Sequence, residues 1–276
     1  MKRLALLAAL LLSTTAWSAT LPRDSAVPGG IAVVALPAQA QQASYDGRRV
    51  MVIPHDGRHY AVVGVPLGTQ PGEHTLTASG PDGSHEITFT VNDKTYKTQR
   101  LTIKNKSMVT LSEDDLARVR RERKVIDAVY NGWTPTLYAK LPFALPVEGI
   151  ETSPFGVRRI LNGKPRSPHS GIDIAAPAGT PVRAPADGVV AEVGDFFFNG
   201  NTVIIDHGEG LVSVYVHLSE IKVHEGDRVQ RGQIIAQVGS TGRTTGADLH
   251  WTVTLNGTKI NPELLLSPAA LESIQH

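Results

Sequence analysis

Pro168-His169-Ser170-Gly171-Ile172-Asp173-Ile174 is the stretch from which the rest of the chain can be read. Pro168 and Gly171 are poor helix formers, so the segment reads as extended chain. Alternate residues of an extended chain share a face. His169, Gly171 and Asp173 therefore point one way, and Ile172 and Ile174 the other. An imidazole and a carboxylate then face one space with only a glycine hydrogen between them, which suits two ligands of one small cation. Two later segments repeat the pattern. In Tyr215-Val216-His217-Leu218, Tyr215 and His217 are expected to share a face. In Ala247-Asp248-Leu249-His250-Trp251-Thr252, the residues Asp248, His250 and Thr252 share a face opposite Leu249, Trp251 and Val253.

The same extended reading spreads through 151–267. Thr180 to Val193, Asn201 to Asp206, Leu211 to Leu218 and Gln233 to Val238 are strand-like, with glycines between them and no long helical period. Upstream, residues 29–106 form a second run of short strands: Ile31 to Leu36, Val50 to Ile53, Tyr60 to Val65, His74 to Ala78, Glu86 to Val91 and Gln99 to Ile103. Asp46-Gly47, Asp56-Gly57, Pro71-Gly72 and Pro81-Asp82-Gly83 supply turns. Ile87, Phe89 and Val91 alternate with polar residues, and strands at this spacing predict a small immunoglobulin-like β-sandwich. One helix is predicted between the two regions, from Ser112 to Tyr130, with Ser112 and Asp115 as a capping box. Residues 131–150 carry prolines and glycines and read as a linker. The fold class is thus mainly β: an accessory β domain over 19–110, a helix and linker over 111–150, a second β domain over 151–267 and a tail over 268–276.

Composition narrows the chemistry. The 276 residues suit about two domains. Cysteine is absent, which excludes disulfides, thiolate metal sites and cysteine nucleophiles. A formal charge of +1 gives no electrostatic footprint for nucleic acid. Lys2 and Arg3 precede the apolar run Leu4 to Leu12, and Ala16-Trp17-Ser18 ends it with small residues. Residues 1–18 read as a secretory signal peptide, leaving no membrane span after cleavage and a periplasmic or secreted protein.

Imidazole and carboxylate donors without thiolates suit Zn²⁺, and two His with one Asp leave a position for water. A cation there polarises a carbonyl and lowers the pKa of its water towards about 7. Taken in order, the segments resemble the LytM/lysostaphin family of zinc endopeptidases over roughly residues 152–266. The resemblance rests on Ser153-Pro154-Phe155-Gly156, His169 to Asp173, Ala184 to Val190, Tyr215 to Leu218, Gly226 to Gln233 and Leu249-His250-Trp251. It implies a compact antiparallel β domain (a duplicated hybrid motif), zinc as cofactor, and hydrolysis of peptide cross-links in bacterial peptidoglycan. Carried over, the zinc ligands are His169, Asp173 and His250, and His217 is the non-ligand catalytic histidine.

One position departs from the pattern. The family's His-x-His places a second catalytic histidine where this chain has Asp248, within Gly246-Ala247-Asp248-Leu249-His250. Three roles are open to Asp248: a carboxylate general base, a weaker hydrogen-bond partner of His217 or the water, or a fourth metal ligand that closes the site. The expected function is a zinc endopeptidase. The alternative is a zinc-binding but catalytically weak cell-wall binding or regulatory protein. The substrate is a peptidoglycan peptide, and protein partners are not specified by the sequence. Ala184 to Val190 and Gly226 to Val238 also resemble a lipoyl or biotinyl carrier hairpin, but no Lys lies between Lys164 and Lys222 to be modified. His55, His59, His74, His85, His224 and His276 read as surface residues, and His207 as a turn residue. Arg158, Arg159 and Asn162 read equally as groove residues or as a solvated loop.

Overall fold

The computed structural model describes residues 20–101, 111–161, 163–165 and 167–274. The segment read as a signal peptide, Asn162 and His276 lie outside the described residues.

Six strands open the chain: β1 (Ile31–Ala35), β2 (Gln42–Tyr45), β3 (Arg48–His55), β4 (Arg58–Gly64), β5 (Gly72–Gly80) and β6 (Gly83–Val91). They form one antiparallel sheet in the order β1-β4-β3-β2-β5-β6. Two of its two-residue turns are Asp46-Gly47 and Asp56-Gly57, where φ is 49°, 72°, 47° and 75°. Two positive φ values in succession define the type I′ hairpin turn, whose twist matches that of the strands it joins. The sheet curls into a half-barrel around Ala32, Val34, Val50, Val63, Leu76 and Val91, bringing β1 close to β6. The sandwich-like core expected for this half is therefore enclosed by a single bent sheet. Its outer face is apolar too. Ile31, Met51, Ile53 and Val62 join the core of the second half of the chain. Two polar clamps accompany this contact: Gly64 N–H donates to Asn256 Oδ1 at 2.8 Å, and Val52 N–H donates to Glu209 Oε2 at 3.2 Å.

The next strand, β7 (Thr98–Leu101), covers all of the described part of the predicted Gln99 to Ile103 strand but leaves the first sheet. After it come α1 (Glu113–Tyr130), β8 (Ile150–Ser153), β9 (Arg158–Leu161) and β10 (Lys164–Pro165). β7 pairs in parallel with β9, with Gln99 opposite Arg159, so the two halves are joined by backbone hydrogen bonds as well as by their core. Ser112 caps α1: its Oγ accepts from Asp115 N–H, and the Asp115 carboxylate accepts from Ser112 N–H. The 131–150 stretch is not a free spacer. Ala139, Phe143 and Val147 recur every four residues and are buried in the main core, and Phe143 N–H donates to the Leu265 carbonyl.

The remaining strands are β11 (Ile172–Ala175), β12 (Pro181–Arg183), β13 (Gly188–Phe196), β14 (Gly200–Gly208), β15 (Leu211–Ile221), β16 (Arg228–Val229), β17 (Ile234–Val238), β18 (Asp248–Leu255) and β19 (Thr258–Ile260). With β8 they make a ten-stranded sheet, with β16-β13-β14-β15-β18-β11-β8 as its main path and β12, β17 and β19 attached to it. One face, carrying Ile172, Ile174, Tyr215, Leu249, Trp251 and Val253, is fully buried. On the other face Ile204, Val212, Val214 and Val216 are covered by Ile126, Val129 and Tyr130 of α1. The last described element is α2 (Pro268–Glu272), and Ile274 beyond it is buried, so the described part of the expected tail, 268–274, belongs to the packed structure. Among the described residues, no helix is long and apolar enough to cross a membrane.

His207, expected in a turn, lies within β14 and is completely buried. Its Nδ1–H donates to the Asp187 carbonyl at 2.8 Å, and its Nε2 accepts from Ser213 Oγ at 2.7 Å. Burial pushes this imidazole down to about 4, against smaller opposing effects of Asp187 and Asp206. The unfolded chain binds the proton near pH 6.5, so stability falls as pH drops from about 6.5 to about 4, by roughly 3 kcal/mol. Urea unfolding of wild type and His207→Gln at pH 7, 5 and 4 checks this. The wild type should lose more stability across the interval than the variant.

Candidate metal centre

The ligand trio comes from two adjacent strands and the turn before one of them. β11 and β18 are antiparallel with Asp173 opposite His250, and both side chains leave the same face. His169 precedes β11 by a tight approach. A Cβ at Gly171 would lie 2.4 Å from the Trp251 carbonyl oxygen and 3.0 Å from His250 Cε1. Glycine is what lets the chain pass between the two ligands it connects. Leu249, Trp251 and Val253 are fully buried on the opposite face, so the alternation predicted for β18 holds.

The three donor atoms converge. His169 Nε2 lies 3.0 Å from Asp173 Oδ1 and 3.1 Å from His250 Nδ1, and His250 Nδ1 lies 2.6 Å from Asp173 Oδ1. Among the described residues, no other group of three or more His, Asp or Glu side chains converges in this way. The outer atoms are occupied. His169 Nδ1–H donates to the Pro154 carbonyl at 3.0 Å, which fixes the tautomer and leaves the Nε2 lone pair pointing inward. His250 Nε2 is 3.0 Å from Thr252 Oγ1. Arg159 Nη2 donates to Ser153 Oγ at 2.9 Å and to the outer oxygen of Asp173 at 3.4 Å. Burial alone would raise the Asp173 carboxyl; the hydrogen bonds and charges of His169 and His250 outweigh it and hold the group well below the usual carboxylate range. Burial likewise pushes His250 down, with Asp173 opposing. Anionic carboxylate and neutral imidazole are the forms that ligate a metal. Two imidazoles and a carboxylate sharing one point, without thiolates, fit a divalent ion of the zinc type.

His217 stands beside the trio, its ring centroid 6.4 Å from that of His250. Here the sequence expectation fails. Tyr215 turns into the core and bonds Ser213 Oγ, whereas His217 lines the cleft. The cause is a φ of 66° at His217, a left-handed conformation that breaks strand alternation. At this point β15 leaves β18, to which Val216 is still paired, and Leu218 pairs with β17. His217 N–H donates to the Asn199 carbonyl at 2.9 Å and Nδ1–H to the Thr241 carbonyl at 2.8 Å. The Nε2 lone pair is left free for the cleft. Asp248 shares the cleft wall, but its Oδ1 accepts from Thr244 Oγ1 at 2.7 Å, and its carboxylate is not among the converging ligands.

The cleft measures about 590 Å³ and adjoins a larger one of about 1000 Å³, with Phe198, Asn199 and Arg243 common to both. Arg159 and Gln99 line the smaller cleft. The sequence left Arg159 open between a groove residue and a solvated loop, and gave no signal that Gln99 reaches the cleft, where it arrives through the β7–β9 pairing.

Comparison with known proteins identifies the family. Residues 167–262 match peptidase family M23, and residues 24–94 match the peptidase family M23 N-terminal domain. A solved structure from Pseudomonas aeruginosa described as peptidase M23 is 40% identical, with a TM-score of 0.75. The alignment covers 88% of this chain and 96% of that one. The chain belongs to peptidase family M23, with a LytM-type peptidase domain preceded by the family's N-terminal domain. Among curated relatives, the DD-carboxypeptidase/endopeptidase Mpg of Neisseria meningitidis is 45% identical over 117 residues, 42% of this chain and 27% of that protein. The peptidoglycan DD-endopeptidase ShyA of Vibrio cholerae is 44% identical over 95 residues, 34% of this chain and 22% of that protein. These matches span about a quarter of the relatives' own length.

Proposed function

We propose that this protein is an exported zinc endopeptidase that hydrolyses peptide cross-links of bacterial peptidoglycan. The observation that carries the reading is the convergence of His169 Nε2, Asp173 Oδ1 and His250 Nδ1 on one point at the end of an open cleft. Zinc held there supplies a Lewis acid for the scissile carbonyl and acidifies a water. The chain's own groups do the rest. His217, with Nδ1–H committed to Thr241, presents Nε2 to accept a proton from the attacking water and return it to the leaving amine. Arg159 and Ser153 keep Asp173 and His169 oriented. The basic-then-apolar stretch over residues 1–18 supports export.

Asp248 favours a second reading, a zinc-binding protein with weak turnover that acts by holding the cell wall. A carboxylate tied to Thr244 cannot donate a hydrogen bond to a developing oxyanion. The test is cleavage of purified cross-linked peptidoglycan peptides by the zinc-loaded protein, its loss on chelation and its return with zinc. Wild-type turnover is expected. Asp248→His should raise it by roughly 100-fold if an oxyanion donor is what the wild type lacks. Turnover by Asp248→His alone would establish the second reading, and no turnover by either would remove the first.

A further inference from the structure

We infer that α1, which falls between the two family matches at 24–94 and 167–262, is a positioning element of the cleft, acting through Glu122 on the β13–β14 turn and through that turn on His217. The inference rests on the role proposed above for His217.

Glu122 is held at both oxygens. Oε1 accepts from Arg118 Nε at 2.6 Å, and Oε2 accepts from the Phe197 backbone N–H at 2.9 Å. Arg118 Nη2 in turn donates to the Asp195 carbonyl at 2.8 Å and to its carboxylate at 3.3 Å. One helical turn of α1 thus grips the chain on either side of Phe196. An exposed ion pair on a helix contributes little by itself. Here the Glu122 side chain is only 18% exposed, and one of its acceptors is used on backbone of another element.

The gripped turn runs straight into the site. Phe198 and Asn199 complete it and line both cavities. The Phe198 carbonyl accepts from Arg243 N–H at 2.9 Å, and the Arg243 guanidinium sits 4.2 Å over the Phe198 ring. Gly200 is pressed against the segment that bonds His217 Nδ1; a Cβ there would lie 2.4 Å from Thr241 backbone. The Asn199 carbonyl accepts the His217 N–H. A histidine at φ 66° persists only where its surroundings over-determine it, and the two carbonyls of Asn199 and Thr241 do so. Loosening the turn removes one of these two restraints, and the imidazole is then free to leave the orientation in which Nε2 faces the ligand trio.

The test compares full-length, zinc-loaded wild type with Glu122→Ala and Glu122→Gln. Glu122→Ala should lower kcat by roughly 10- to 100-fold, the cost of misplacing a catalytic group by about 1 Å, with KM changed much less. In the histidine NMR spectrum the His217 ring signals should shift, while those of buried His207 stay in place. Glu122→Gln keeps a side-chain oxygen for the Phe197 N–H and should restore both readouts. His217 signals that do not move in Glu122→Ala overturn the inference, as do His217 and His207 signals that move together, since the second outcome means general loosening. The NMR comparison does not depend on turnover. An inactive wild type would sink the proposed function and leave the coupling of α1 to His217 still decided by the spectra.

Discussion

His250→Ala is expected to purify with little or no zinc and without peptidase activity. His250 supplies one of three donor atoms and is the cross-strand neighbour of another, Asp173. Its loss leaves two ligands from one short segment, too few for a tetrahedral site. It also removes one of the two partners that hold the Asp173 carboxylate ionised in a buried setting. Metal analysis checks the first consequence directly. Thermal unfolding checks it again: zinc at 100 times its Kd should stabilise the wild type by about 2.7 kcal/mol and leave the variant unmoved. Full wild-type activity in His250→Ala would overturn the assignment of the centre. The variant should still fold. The core side of β18, formed by Leu249, Trp251 and Val253, is untouched.

His217→Ala separates chemistry from metal binding. The side chain is not among the converging donors, so zinc content should match the wild type. Removing the group that accepts and returns the proton should lower kcat by roughly 100- to 10,000-fold. The substitution should bring no gain in stability, because φ at 66° is as unfavourable for Ala as for His. Active sites carry such strain when orientation matters more than stability. Zinc loss in His217→Ala, or unchanged kcat, would remove His217 from the role given to it. Together the two variants divide the site into metal holding and proton handling, with metal analysis and turnover as separate readouts.

The meeting of three possible donor side chains was legible because strand alternation is a local rule. Asp173 and His250 each sit on a stretch whose polar and apolar residues alternate, His169 precedes the first of these in extended chain, and the buried face of β18 obeys the alternation through Val253. The capping box of α1 was legible for the same reason, its residues being three apart. What could not be read depends on distant backbone. His217 was assigned to the same face as Tyr215; its left-handed φ is set by the carbonyls of Asn199 and Thr241, and nothing in Tyr215-Val216-His217-Leu218 announces it. β2 has the unpromising sequence Gln42-Ala43-Ser44-Tyr45, and only its neighbours β3 and β5 make it a strand. The strand at Gln99 was legible as a strand but not as the partner of β9, because period alone does not choose a neighbour. His207 sits beside Asp206 and Gly208, where turn chemistry is locally plausible, and the Ser213–Tyr215 network that buries it lies on the next strand.

The sidedness of the first sheet has a consequence for how such proteins can be recombined. β1, β3 and β4 send one set of side chains into their own half-barrel and the alternate set into the peptidase half. A module with a polar back could be exchanged as a cassette, leaving its neighbour solvated and intact. This one could not, since separation would uncover Ile31, Met51, Ile53 and Val62 on one fragment and their packing partners on the other. Matching apolar surfaces have to be inherited together, so grafting a foreign front half onto this peptidase domain would require redesigning the seam rather than the hinge.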